Sequence, residues 1–183
     1  AVSSLAGSGE DLWLRADQLA HGPGHSPWML VLACDSDVDP VRVQALAAVQ
    51  RLYDATARPG GCVPGEAAAA LLLASEAAIT ENGWKPRARI VASVNVGDCP
   101  TLILNAPAPA ARKALERAGL SVADIDVWEI NEAFAVVTEK AIRDLGIDRS
   151  KVNINGGSIA LGHPIGATGS ILIGTALDEL ERS

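Results

Sequence analysis

Residues 153–170 read NINGGSIALGHPIGATGS, and no other stretch limits the fold as strongly. Lys151 to Ile154 is a short strand candidate, Asn155-Gly156-Gly157 breaks it, and from Pro164 the text turns helical as far as about Glu181. The pattern predicts a strand, a glycine-rich loop and a helix, with His163 at the join. Proline suits the first helical position, where its missing N–H is no loss. His163 then stands just before a helix N-terminus. Free N–H groups and the helix dipole there favour negative charge, oppose an imidazolium and favour a neutral, hydrogen-bonding ring. Gly162, Gly166 and Gly169 leave little side-chain bulk nearby, so a ligand or a second helix can approach. A histidine among glycines also serves as a plain loop or capping residue, and both readings stand at this point. A phosphate-cradling loop does not fit, because no Lys follows the glycines and G-x-G-x-x-G is absent.

The 183 residues suffice for one domain with a real core. The 49% hydrophobic share holds one Phe, one Tyr and one Met, so the core must be built from small aliphatic groups, which suits tight α/β layering. A net charge of −7 argues against a nucleic-acid groove, which needs clustered Lys and Arg. Cys34, Cys62 and Cys99 are odd in number and lack C-x-x-C spacing. A disulfide framework is not expected, and a reducing, cytoplasmic setting fits better. No run approaches the roughly 18 apolar residues of a membrane span, and no secretory signal is legible. His21 and His25 sit on a Gly/Pro loop without a third ligand nearby, so no metal site is expected.

Taken in order, Glu10 to Leu19 is a short helix candidate within the poorly defined residues 1–27. Trp28 to Ala33 resembles a strand buried on both faces. Asp39-Pro40 opens a helix reaching about Tyr53, and residues 57–65 form a loop. Glu66 to Leu73 is ambiguous: its alanines favour helix, while its shortness leaves room for a buried strand. Glu76 to Asn82 predicts a helix ended by Gly83. Arg89 to Val96 is the clearest strand by β-branched content. Pro107 to Ala118 is a helix stopped by Gly119, with Arg112 and Glu116 paired along its exposed face. Ser121 to Asp124 makes a turn and Ile125 to Ile130 a strand. Asn131-Glu132 then opens a helix closed by Gly146, with Asn131 as N-cap or as something more. The alternation of strands and helices argues a layered α/β sheet in one domain. In such sheets, loops at the carboxyl ends of strands are the usual ligand sites, which singles out the turns at Asn131 and His163.

At these two turns the sequence resembles a known family. Asn131-Glu132-Ala133-Phe134-Ala135, and the run from Asn155 through Gly162-His163-Pro164 to Gly169, look like signature stretches of the thiolases. The likeness extends from about Gly61 to Leu180. It implies a thiolase-like half-fold of the α/β class, a mixed sheet with helices on its faces, over residues 61–182. It also implies carbon–carbon bond-forming or cleaving acyl transfer on acyl-CoA. His163 would be the oxyanion-hole histidine and Asn131 the residue orienting a water. Ala133 and Phe134 would line the pantetheine tunnel. Coenzyme A enters as substrate or product, with no covalently bound cofactor. The implied partners are an acyl-CoA and either a second copy or an N-terminal half, with no nucleic acid or membrane.

Three departures qualify the likeness. The family's nucleophilic cysteine lies in a small-residue-rich turn that is not found in this chain. Cys34 stands among Asp35, Asp37 and Asp39, whose charge would raise a thiol's pKa rather than lower it. The family's hairpin with a Cys-x-Gly turn is not seen before Ser183, which predicts an incomplete sheet with an exposed edge. Finally, Gly60-Gly61-Cys62-Val63-Pro64-Gly65-Glu66 stands where the family has a coenzyme-contacting loop, and Met29 to Glu66 looks more like the end of a ketoacyl-synthase half. The chain therefore reads as mixed, as natural divergence, a fragment or a chimera would. These departures imply inactivity in isolation; the alternative is a non-catalytic CoA-binding or purely structural module.

Overall fold

A computed structural model describes residues 28–36, by their backbone alone, and 66–183. The helices expected at 10–19 and 39–53 lie outside the described residues. The chain divides into two compact units, Ala1–Ser75 with Ser158–Ile171, and Glu76–Gly157 with Leu172–Ser183.

In the first unit, β1 (Trp28–Ser36) and β2 (Glu66–Ala74) form an antiparallel pair, with Trp28 opposite Ala74 and Ser36 opposite Glu66. The alanine-rich stretch is thus a strand. From Ala67 to Leu73 its side chains alternate between half-buried and exposed, the period of a sheet with one covered face. It is not buried on both faces, since Leu72 is exposed.

In the second unit, α1 (Glu76–Asn82) and α2 (Pro107–Ala118) occupy their expected spans. Each is followed by a glycine with positive φ, Gly83 or Gly119. Arg112 departs from its expected pairing with Glu116: its Nη2 donates to the Asp144 carbonyl on α3 (Ala135–Leu145), against which α2 packs. Ser121 and Asp124 close a reciprocal capping box.

Three expected strands come out differently. Arg89–Val96 has no ladder and no regular structure, although half-buried and exposed residues alternate from Val91 to Val96. Ile125–Ile130 and Lys151–Ile154 meet at one parallel bridge, Trp128 with Val152, and Arg149–Lys151 is a 3-10 turn. A two-stranded antiparallel pair and one parallel bridge are what the described residues hold of the expected mixed sheet.

Ser158–Leu161 forms the short helix α4, and α5 (Ile165–Arg182) spans both units. At its start α5 buries small residues only, Ala167, Thr168 and Ser170. Arg87 anchors the far end of α5. Its Nε and Nη2 meet both Glu181 carboxylate oxygens at 2.9 and 2.7 Å, and Nη2 also meets Asp178 at 2.6 Å. These bonds hold the Glu181 carboxyl below its ordinary range. No helix among the described residues is long and apolar enough to cross a membrane.

Candidate functional site

The turn at Asn131 is shaped by Asn153. At that residue the backbone takes φ +47°, a left-handed conformation that Asn tolerates better than most residues. Its N–H donates to the Trp128 carbonyl at 2.8 Å, while the Trp128 N–H donates to Lys151 O at 2.8 Å. Beyond this bridge the side chain takes over. Asn153 Oδ1 accepts from the Ile130 N–H at 2.8 Å, and Nδ2 donates to Ile130 O at 2.9 Å and to Glu132 Oε1 at 2.9 Å. An amide side chain thereby imitates one more rung of backbone pairing. Glu132 in turn lies over Gly157, where a Cβ would stand 2.2 Å from Glu132 Cδ.

These bonds explain why the helix does not open at Asn131. With Ile130 and Glu132 both tied to Asn153, the chain runs without helix through a bend at Ala133 and Phe134, the latter itself at φ −149°, ψ 151°, and α3 starts at Ala135. Asn131 is therefore not the N-cap. Asn131 and Ala133 are half-buried, and Phe134 is 55% exposed, so the chain's single Phe is not a core residue.

Glu129 lies just before this turn. Both its carboxylate oxygens are out of solvent and accept no hydrogen bond. Burial, helped by repulsion from Glu132 and Glu179, pushes its pKa up to about 7. Glu179 goes the other way: hydrogen bonds from Asn155 (2.8 Å) and Arg182 hold it below its ordinary range.

His163 belongs to the other unit. Gly162, at φ +89°, ends α4 and delivers His163 immediately ahead of Pro164 and α5. The ring is half-buried, with Nδ1 2.8 Å from Thr168 Oγ1. Thr168 is buried, and its Oγ1 is also 2.9 Å from Pro164 O. The expected position of His163 at the helix entrance is thus found. Asn131, Ala133 and Phe134 come together in one turn of the second unit, and His163 stands on the first. Cys34 lies where only backbone is described.

Neither Asn153 nor Thr168 stands out in the sequence as a functional residue. The signals the sequence carries for them are an Asn inside a β-type run and a Thr five residues after a His at a helix start. A shallow groove lined by Val122, Trp128, Leu145, Ile147 and Lys151 contains none of the expected site residues.

The profile of the family described as "Thiolase, C-terminal domain" matches residues 84–183, which include both turns. A beta-ketoadipyl-CoA thiolase of Acinetobacter baylyi is 43% identical over 81% of this chain and 39% of its own length. An acetyl-CoA acetyltransferase of Shinella zoogloeoides is 50% identical over 64% of this chain and 30% of its own. Among solved structures, human mitochondrial 3-ketoacyl-CoA thiolase superposes with a TM-score of 0.63 at 37% identity. That match covers 74% of this chain and 36% of the human one. The chain thus spans between 29% and 39% of the length of such curated relatives. With the family profile over more than half its residues and a thiolase as structural neighbour, the chain belongs to the thiolase family.

Proposed function

We propose that this chain supplies the oxyanion-stabilising side of a thiolase-type acyltransferase acting on acyl-CoA, with coenzyme A as substrate or product. His163 donates a hydrogen bond to the thioester oxygen as negative charge develops. Asn131 holds a water for the same purpose. Ala133 and Phe134 line the path of the pantetheine arm. The observation that carries this reading is that both signature turns fall inside the residues matched to the family profile. The chemistry supports it: a donor fixed in a dry pocket and aimed at a forming oxyanion contributes about 3 kcal/mol. A 55% exposed Phe beside the Asn131 turn also suits a wall that a ligand covers.

The 183 residues carry no cysteine in a family motif, and turnover by this chain alone is not expected. Binding is therefore the test. Acetyl-CoA binding is measured by calorimetry for the parent, Phe134→Ala and His163→Ala. Removing the ring is expected to weaken binding about tenfold or more, from the apolar area lost. Parent binding left unchanged by Phe134→Ala overturns the tunnel assignment. Thiolysis of acetoacetyl-CoA abolished by Cys34→Ala overturns the expectation of inactivity.

A further inference from the structure

The sequence and the structure disagree about where α3 begins, and the disagreement has a single source. Asn131 is a favoured capping residue, and Glu132 behind it would put a carboxylate in the first turn, where the helix dipole favours one. The helix starts only at Ala135. Phe134 holds the capping position without a capping bond, and the first turn has no acidic residue. The observed start is the poorer one by local rules, so a group outside these residues must set it. Asn153 is that group. It is buried, its N–H is held by the Trp128 carbonyl at 2.8 Å, and its side chain reaches both chain neighbours of Asn131. Oδ1 accepts from the Ile130 N–H, and the amide spends its two N–H donors on Ile130 O and Glu132 Oε1. Gly157 adds a second hold, because only a residue without Cβ leaves room for the Glu132 carboxylate.

We infer that Asn153 is a positioning residue for Asn131: by holding Ile130 and Glu132 it stops α3 from winding back to Asn131, which stays in the turn instead of becoming the helix cap. Winding residues 132–134 into helix changes the backbone angles between the anchored points, so the three bonds and the earlier start exclude each other. The start of the helix therefore decides where the Asn131 side chain is carried. Its use there in orienting a water toward a thioester oxygen rests on the proposed function; the choice of helix start does not. The local text favours one state of residues 131–134, and three hydrogen bonds from a buried side chain favour the other. The turn is thus poised between two structures rather than loosely held. Loss of the bonds should lengthen α3, not merely loosen the turn.

The test reads the ¹³C Cα and Cβ shifts of residues 131–134 in the 183-residue chain. Asn153→Gly adopts the left-handed φ of +47° without strain and loses all three side-chain bonds. The parent is expected to show no helical shift at 132–134, and Asn153→Gly to show helical shifts there. Asn153→Asp, which keeps an acceptor for the Ile130 N–H but not both donors, takes its place if the glycine variant does not fold. Helical shifts in the parent overturn the inference. So does a folded variant that keeps the parent's shifts or turns these residues to random coil. Asn153 Nδ2 protons that exchange in the parent as fast as those of an exposed asparagine overturn it whatever the variants do. Acetyl-CoA calorimetry separates the inference from the proposed function. Asn153→Gly is expected to weaken binding about tenfold in the parent, the order of one lost hydrogen bond, and less than about twofold in Asn131→Ala. Equal losses in both backgrounds overturn the positioning role, since a merely structural residue acts on either. The expected shifts without acetyl-CoA binding by the parent sink the functional reading alone. Binding with unmoved shifts sinks the inference alone.

Discussion

Arg89–Val96 and Trp128–Gly157 share one compact unit, and both read as β structure in sequence, yet they end in opposite conditions. The first is rich in β-branched residues and acquires no ladder; Ile90 and Val91 are each 61% exposed. The second holds one parallel bridge, Trp128 with Val152, and a buried asparagine extends it by bonding both backbone groups of Ile130. The difference teaches that β propensity describes fitness for a pleated surface, while a strand exists only where a partner is present. Where the partner is short, a side chain can complete it. If so, the organisation around Asn131 depends on Asn153 far more than the outer segment depends on its own apolar residues.

The largest expected effect is therefore at Asn153. Asn153→Ala strips three side-chain hydrogen bonds in a buried site and places alanine at a left-handed φ. Unpaired groups and backbone strain together should cost about 3 kcal/mol in urea unfolding. Asn153→Gly loses the same bonds without the strain and should cost about 1 kcal/mol less. Hydrogen exchange at the Ile130 amide should accelerate in both. Equal costs for the two variants break the assignment of strain, and a cost under ~1 kcal/mol for Asn153→Ala breaks the comparison.

Next comes Gly157→Ala. The new methyl meets the Glu132 carboxylate, the end of a flexible side chain that is nonetheless pinned to Asn153. Displacing it should cost about 1–2 kcal/mol. In a Glu132→Ala background the same substitution should be nearly neutral, because the three atoms nearest the new methyl, all of the Glu132 carboxylate, are then gone. Additive costs in this double-mutant cycle would show that Gly157 is required for another reason.

Helices were far more legible than strands, and the reason is local. The spans Glu76–Asn82 and Pro107–Ala118 end at glycines that supply left-handed caps, and Pro164 announces α5, all within a turn of sequence. Strands need a partner that the local text does not name. Glu66–Ala74 is alanine-rich and still pairs over nine residues with Trp28–Ser36. At the candidate site, the place of His163 before a helix could be read from Gly-His-Pro. The start of α3 could not, because what keeps residues 131–134 out of the helix is tied to an asparagine 23 residues after Ile130. The hydroxyl beside Nδ1 likewise becomes visible only when the first turn of α5 closes and brings Thr168 Oγ1 to 2.8 Å from it.

Glu129 offers a smaller, pH-dependent effect. Its carboxyl has a folded-state pKa of about 7 against an ordinary 4.5, so the folded state prefers it neutral. That contribution is complete below pH 4.5 and is lost as pH rises through 7. Glu129→Gln should thus be more stable than the parent at about pH 8, by about 1 kcal/mol once solvent screening of this partly exposed group is allowed for, and no more stable at about pH 4. Urea midpoints at the two pH values check it. An advantage of equal size at both would show that charge is not the cause.

The smallest effect belongs to the outer segment, and it tests the comparison from the other side. Ile90→Thr with Val91→Thr removes apolar groups that are already mostly in solvent, and surface changes of this kind stay within about 0.5 kcal/mol. The backbone should notice little, since Arg117 Nη1, which donates to the Ser93 carbonyl at 2.7 Å, is untouched. Self-association should respond more than stability. An extended apolar run with unpaired backbone groups is a ready surface for another chain, and two hydroxyls in place of two aliphatic faces should lower it. Sedimentation beside urea unfolding reads both quantities on one sample. A loss above ~1.5 kcal/mol would mean that these side chains are packed in solution. The segment would then be a strand with a partner after all, and the contrast with Asn153 would be one of degree rather than of kind.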